Sequence, residues 1–177
     1  MGSFDWRTAA DALNFSSLPL IDRLFLTCDG TLTDIIEAAF LEPIKLTKLS
    51  VTSSLTSAPI EELDLKSGEP VMRREILLQG ESSQTTYMYA ETVVALDGLP
   101  ATLREQLANT DIPIGRLMMQ HKLETRKELL NIWRVPTSDV SLFFGSEKQG
   151  GLIARTFRVF SGGRPIMLIS EYFPVAL

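Results

Sequence analysis

Cysteine and histidine are almost missing from this 177-residue chain, which has one of each, Cys28 and His121. A lone cysteine excludes an internal disulfide framework, so nothing points to an oxidising compartment. The pair is also too few for a structural zinc site of the usual Cys/His kind. A Cys28 nucleophile would need a base, and the one imidazole lies far along the chain. Cys28 reads more simply as a small buried hydrophobe. Long apolar runs are lacking as well: none approaches the roughly 18 residues that a membrane-crossing helix requires. The stretch Leu18 to Leu26 is broken by Asp22 and Arg23, and Met1 to Asp5 carries no basic segment. No secretory leader is expected, and the expected location is the cytoplasm. Runs of Lys and Arg are absent too, and the formal net charge is -5. Nucleic acid is therefore not expected as a partner, whereas a local cationic site for a small anion stays open.

What is present is an ordinary globular composition, 45% hydrophobic and 22% charged, at a length that fits one domain over residues 1–177. Trp6 to Leu13 reads as a short helix. Ile21 to Leu26 is an apolar stretch leading to the turn Asp29-Gly30-Thr31. The spacing predicts a helix over Thr33 to Leu41, capped by Thr33 and closed by Glu42-Pro43. Ile44 to Leu49 alternates like a strand until Lys48 and Leu49 break the pattern. Val51 to Pro70, rich in Ser, Thr, Pro and acidic residues, reads as a long loop with a short ordered piece at Ile60 to Leu65. It is long enough to be a lid, although a plain surface loop is the simpler reading. Val71 to Leu78 and Tyr87 to Ala95 read as strands, Leu103 to Leu107 as a short helix and Glu124 to Trp133 as a helix stopped before Pro136. Met118, Met119 and Trp133 read as core. Ile153 to Phe160 and Ile166 to Phe173 flank Ser161-Gly162-Gly163-Arg164, a strong hairpin signal. Hairpins separated by helices, with no strand-helix-strand rhythm, predict an α+β fold on an antiparallel sheet with flanking helices.

Two charges fall where apolar residues belong. Side chains alternate faces along a strand. Met72, Arg74, Ile76 and Leu78 thus share one face, and Met167, Ile169, Glu171 and Phe173 share another. Each charge is the only one on its face, and an unpaired buried charge costs several kcal/mol or neutralises. One reading has Arg74 and Glu171 paired with each other or with backbone, or placed at a wet strand end. The other has them lining one pocket, an acid beside an anion-holding cation. Arg155 shares a face with Ile153, Phe157 and Val159, and is either half of a structural pair or a binding residue. Arg116 follows a turn-like Pro113-Ile114-Gly115, whose backbone N–H groups could face an anion.

In order along the chain, several segments resemble the chorismate lyase (chorismate pyruvate-lyase) family. They are Asp29-Gly30-Thr31-Leu32-Thr33 before a helix with Glu37; Arg74-Glu75-Ile76-Leu77-Leu78; Tyr89-Ala90-Glu91-Thr92-Val93-Val94; Ile112-Pro113-Ile114-Gly115-Arg116; Ala154-Arg155-Thr156; and Gly163-Arg164-Pro165-Ile166 running to Ser170-Glu171-Tyr172-Phe173-Pro174. The set spans most of the chain, and the Ala90-Glu91 pattern is similar to a cyanobacterial or plastid branch. Bacterial members often carry an arginine at the position of Glu91. The resemblance implies an antiparallel sheet around a largely enclosed ligand cavity. It implies ligand contacts at Arg74, at Glu171 and, through backbone, at or beside Leu32 and at Ile114; Arg155 is carried as a further substrate-binding candidate.

The implied reaction turns chorismate into 4-hydroxybenzoate and pyruvate, a route to quinone head groups. Arg74 offers a planar fork to one carboxylate. Glu171 would hydrogen-bond the ring hydroxyl and handle a proton. Aromatisation supplies much of the driving force, so no metal or redox cofactor is expected. The alternative from a different class is a non-catalytic binder of an aromatic acid. The same fold resembles ligand-sensing domains of bacterial transcription regulators, but no basic recognition helix precedes Arg74.

Overall fold

The computed structural model describes residues 13–136, 139–145 and 151–175; the helix expected over Trp6 to Leu13 lies, apart from Leu13, outside the described residues. Among the described residues six strands carry the fold: β1 (Ile44–Leu55), β2 (Pro70–Gly80), β3 (Thr86–Ala95), β4 (Arg126–Val135), β5 (Leu152–Ser161) and β6 (Arg164–Pro174). They form one sheet in the order β1-β2-β3-β6-β5-β4, with every neighbouring pair antiparallel. The α-helices among the described residues are α1 (Leu20–Thr27), α2 (Leu32–Phe40), α3 (Ala101–Asn109) and α4 (Ile114–Gln120). The expected α+β antiparallel architecture is the one observed.

Period-two alternation wrote β2, β3, β5 and β6 clearly. The β5–β6 turn places Gly162 and Gly163 at φ 56° and 78°, the left-handed values that a two-residue hairpin loop needs. Three expectations are corrected. Glu124 to Trp133 is not a helix but holds most of β4. Its register slips between Leu129 and Asn131, so that Lys127 and Leu129 pair with Val159 and Phe157, while Ile132 pairs with Arg155. The extra residue, Leu130, converts a strand alternation into an apolar spacing that imitates a helix. Val51 to Pro70 is not all loop, because β1 runs on to Leu55 past a slip between Lys48 and Ser50. The bulged Leu49 is what interrupts the alternation there. Helix α2 starts at Leu32, with Thr31 rather than Thr33 at the N-cap. The short ordered piece is present: Ile60 bridges Leu65 around a 3-10 turn, Glu61–Leu63.

The apolar stretch Ile21 to Leu26 lies within α1. Of the residues expected in the core, Met118 is buried, while Met119 is exposed and Trp133 half-buried. Residues 56–69 pack on one face of the sheet, where Arg158 donates to the Glu62 carbonyl. The helices occupy the other face, which bears Ile76 and Leu78 of β2, Met88 and Ala90 of β3, and Phe157 and Val159 of β5. That face holds two apolar clusters. In one, Phe25, Leu26 and Ile36 of α1 and α2 bury against Ile44, Leu78 and Phe173. In the other, Leu103, Leu107 and Leu117 of α3 and α4 bury against Val94, Val159 and Met167. Each fully buried side chain of this size contributes about 1.5–3 kcal/mol.

Candidate active site

The seam between those two clusters is not filled. It holds a cavity partly open to solvent, with about 630 Å³ of empty space counting its open mouth, floored by β2, β3, β5 and β6 and walled by the N-terminal ends of α2 and α4. Ile76, Leu78 and Met88 line it from one cluster, and Met118, Phe157 and Ile169 from the other. Its walls are apolar, as in most small-molecule sites, with few polar groups. Those groups include Arg74, Glu171, Thr92 and Lys127.

Arg74 is held on β2 between Met72 and Ile76, opposite Thr92 of β3. It is 1% exposed. None of its three guanidinium nitrogens has a hydrogen-bond partner among the described residues. Burial pulls its pKa down to about 10, against a weak opposing attraction from Asp111. A buried cation whose donors lack partners is costly to the fold, so this side chain, with all three guanidinium nitrogens unpaired among the described residues, is a polar anomaly.

Glu171 resolves differently from either pairing considered for it. Its partner is Arg155, not Arg74: Arg155 Nε donates to Glu171 Oε2 at 2.6 Å, and both residues are buried. Arg155 Nη1 also donates to the Cys28 carbonyl at 2.8 Å and lies 3.5 Å from Cys28 Sγ. Burial alone would lower the Arg155 pKa; the Glu171 carboxylate and Cys28 overcome it, and the net shift is upward. The ion pair depends on a slip in the β5–β6 register between Val159 and Phe160. Without that slip, Arg155 would face Ser170. With it, Arg155 stands directly opposite Glu171. Arg155 does not line the main cavity but an adjoining smaller one, with Cys28 and Leu129.

Leu32 and Ile114 are the first residues of α2 and α4, and both line the cavity. First-turn N–H groups have no intrahelical partner, so two such helix starts put free donors at the cavity wall. The two arms are clasped to each other. Arg116 Nη2 lies 2.8 Å from Asp34 Oδ1 and 2.6 Å from Glu37 Oε2. Thr31 Oγ1 donates to Met119 Sδ at 3.6 Å. A Cβ added at Gly115 would stand 3.1 Å from Thr31 Cγ2, so any larger residue there would push the Thr31 side chain aside by a few tenths of an ångström. Residues 51–70, considered as a lid, lie partly in β1 and partly on the opposite face, so these two arms, and not that segment, cover the cavity.

The cavity thus gathers Leu32, Arg74, Ile114 and Glu171, with Arg155 one ion pair behind. Sequence reasoning missed Lys127, because the β4 bulge hid the strand that carries it. Thr92, buried opposite Arg74, was also missed; a threonine on a strand face gives little warning. Glu91, where bacterial members often have arginine, is exposed and paired through Glu75 and Ser170 on the other face of the sheet, away from the cavity.

A family model described as chorismate pyruvate-lyase, Rv2949c-like, matches residues 26–177. The chain belongs to the Rv2949c-like chorismate pyruvate-lyase family. Among curated relatives it is 29% identical over 157 residues to a chorismate pyruvate-lyase of Mycobacterium tuberculosis strain H37Rv, covering 85% of this chain and 78% of that one. It is 29% identical over 156 residues to the chorismate pyruvate-lyase of Mycobacterium leprae, covering 85% and 72%. Among solved structures, the effector domain of PhnF from Mycobacterium smegmatis superposes with a TM-score of 0.63 at 12% identity, over 84% of this chain and 90% of that one. That likeness is one of fold.

Proposed function

We propose that this chain converts chorismate to 4-hydroxybenzoate and pyruvate, supplying an aromatic precursor for quinone head groups. The observation that carries the reading is Arg74: a buried guanidinium with no hydrogen-bond partner among the described residues, lining an apolar cavity it shares with Glu171. A planar carboxylate is the natural occupant of that fork, and an aromatic acid fits the apolar walls. Leu32 and Ile114 add backbone donors at the cavity wall.

The elimination removes the proton from the ring carbon that bears the hydroxyl. The electron pair of that C–H bond completes the aromatic ring. The neighbouring C–O bond breaks, its pair stays on the departing enolpyruvate oxygen, and that fragment takes up a proton and tautomerises to pyruvate. Glu171 is the group placed to contact the ring hydroxyl and accept the proton. Arg155 donates to its Oε2, which leaves Oε1 for the substrate. Arg74 holds the ring carboxylate and withdraws charge from the ring as it aromatises.

The test is incubation of the purified protein with chorismate and chromatography of the products. Equimolar 4-hydroxybenzoate and pyruvate, lost in Arg74→Met, support the reading. Binding of 4-hydroxybenzoate with no product from chorismate makes the protein a binder of aromatic acids instead.

A further inference from the structure

Chorismate carries two carboxylates, and Arg74 accounts for one. The geometry points to Lys127 as the holder of the second, the carboxylate of the departing three-carbon acid, where two adjoining cavities share a wall. This rests on the lyase reading given above and adds a residue and a subsite to it.

Lys127 lies on the cavity face of β4, opposite Val159. Besides the main cavity, the fold has an adjoining smaller one lined by Cys28, Leu129 and Arg155, and Lys127 and Phe157 are the residues common to both linings. The Lys127 ammonium donates to the carbonyls of Asp29 and Gly30 at 2.9 and 3.1 Å. An ammonium has three donors, so one remains. Two carbonyls orient the charge but do not neutralise it, and Lys127 takes part in no salt bridge among the described residues. Its neighbours at the junction are the Phe157 ring, 5.3 Å from Nζ, and the Arg155 guanidinium, itself 5.1 Å from that ring. The smaller chamber is thus bounded by two cationic side chains, one already committed to Glu171 and the other carrying an unneutralised charge. That is the electrostatic environment of a small carboxylate.

The placement suits a dicarboxylate. Arg74 on β2 and Lys127 on β4 are separated by four strand intervals, about 19 Å in a flat sheet. Both long side chains line the one cavity that lies between them. Arg74 and Lys127 are then the two ends of the substrate. Lys127 contributes nothing to a ligand that has only the ring carboxylate, and the small chamber receives the fragment that leaves.

The experiment compares chorismate with 4-hydroxybenzoate, which keeps the ring carboxylate and lacks the second one, in wild type, Lys127→Met, Lys127→Gln and Lys127→Arg. Chorismate is read as kcat/KM and KM, and 4-hydroxybenzoate as Kd by calorimetry. Loss of a charged hydrogen bond predicts a fall of about 10- to 100-fold in kcat/KM for chorismate in Lys127→Met and Lys127→Gln. The Kd for 4-hydroxybenzoate should stay within about threefold, and Lys127→Arg should recover most of the loss. Lys127→Gln retains a donor for the Asp29 and Gly30 carbonyls, so it separates lost charge from a lost tether. Parallel weakening of both ligands makes Lys127 a tether of the Asp29–Gly30 segment and overturns the proposal, as does an unchanged kcat/KM. If wild type leaves chorismate unconverted, the lyase reading falls by itself. The same comparison is then made on the Kd of chorismate, where selective loss of the dicarboxylate still supports the assignment and parallel or absent loss overturns it.

Discussion

The two faces of the sheet treat their charges in opposite ways. On the face away from the helices, Glu75 and Glu91 are cross-strand neighbours, a repulsive arrangement. The Tyr89 hydroxyl lies between them, 2.9 Å from Glu91 Oε1 and 3.3 Å from Glu75 Oε2. The Tyr89 ring stacks on Phe143, with centroids 4.9 Å apart, and lies 5.4 Å from that of Tyr172. Burial first, then the Glu91 carboxylate, push the Tyr172 hydroxyl up to about 12. Glu91 itself reaches solvent. Here water and hydroxyls absorb the cost of charge. On the helix face these charges are buried and each has a sharper fate: Glu171 is locked to Arg155, and the Arg74 guanidinium has no hydrogen-bond partner among the described residues. On the proposed reading, the arginine left without a hydrogen-bond partner among the described residues is held for a ligand carboxylate.

Substitutions on the helix face should therefore have large effects and those on the other face small ones. Glu171→Gln keeps an acceptor for Arg155 but removes the proton acceptor, and turnover of chorismate should fall by about 10²- to 10⁴-fold in a steady-state assay. Arg155→Met leaves a buried carboxylate unpaired and should cost about 3–5 kcal/mol in a urea titration. Tyr89→Phe, across the sheet, removes the hydroxyl between the two glutamates. It should cost about 1 kcal/mol in the same titration and leave kcat/KM within about twofold, because it shares no partner with the cavity residues. Arg116→Ala opens a half-exposed clasp between α2 and α4 and should lower stability by less than about 1 kcal/mol. Equal effects of Tyr89→Phe and Glu171→Gln on turnover would erase the distinction between the faces.

What could be read beforehand follows the same physics. Arg74 and Glu171 stand out because β2 and the later part of β6 alternate without a slip, so one charge among apolar neighbours is visible in the residue order. The hairpin was legible because Gly162 and Gly163 are the residues that its loop geometry demands. The ion pair was not legible, since register is a property of two strands. One bulge in the β5–β6 ladder decides whether Arg155 faces Glu171 or Ser170. Lys127 was hidden by a second bulge, at Leu130, which disguised β4 as a helix. The meeting of Leu32 with Ile114 at one cavity depends on the packing of α2 against α4, which no local pattern encodes.

The claim that Arg74 is held bare for a ligand carboxylate is tested most directly by thermal melts of wild type and Arg74→Met, with and without 4-hydroxybenzoate. Its pKa of about 10 lies below the usual arginine value, so at neutral pH the folded state bears the cost of a desolvated cation, and that cost is relieved only as pH rises above about 10. Replacing the cation with an apolar side chain should therefore stabilise the ligand-free protein, by about 1–3 kcal/mol. Saturating 4-hydroxybenzoate should raise the wild-type melting temperature and leave that of Arg74→Met nearly unchanged. The account predicts that the variant melts higher without ligand and gains little from it. A variant that melts lower without ligand and responds to 4-hydroxybenzoate as wild type does would contradict it.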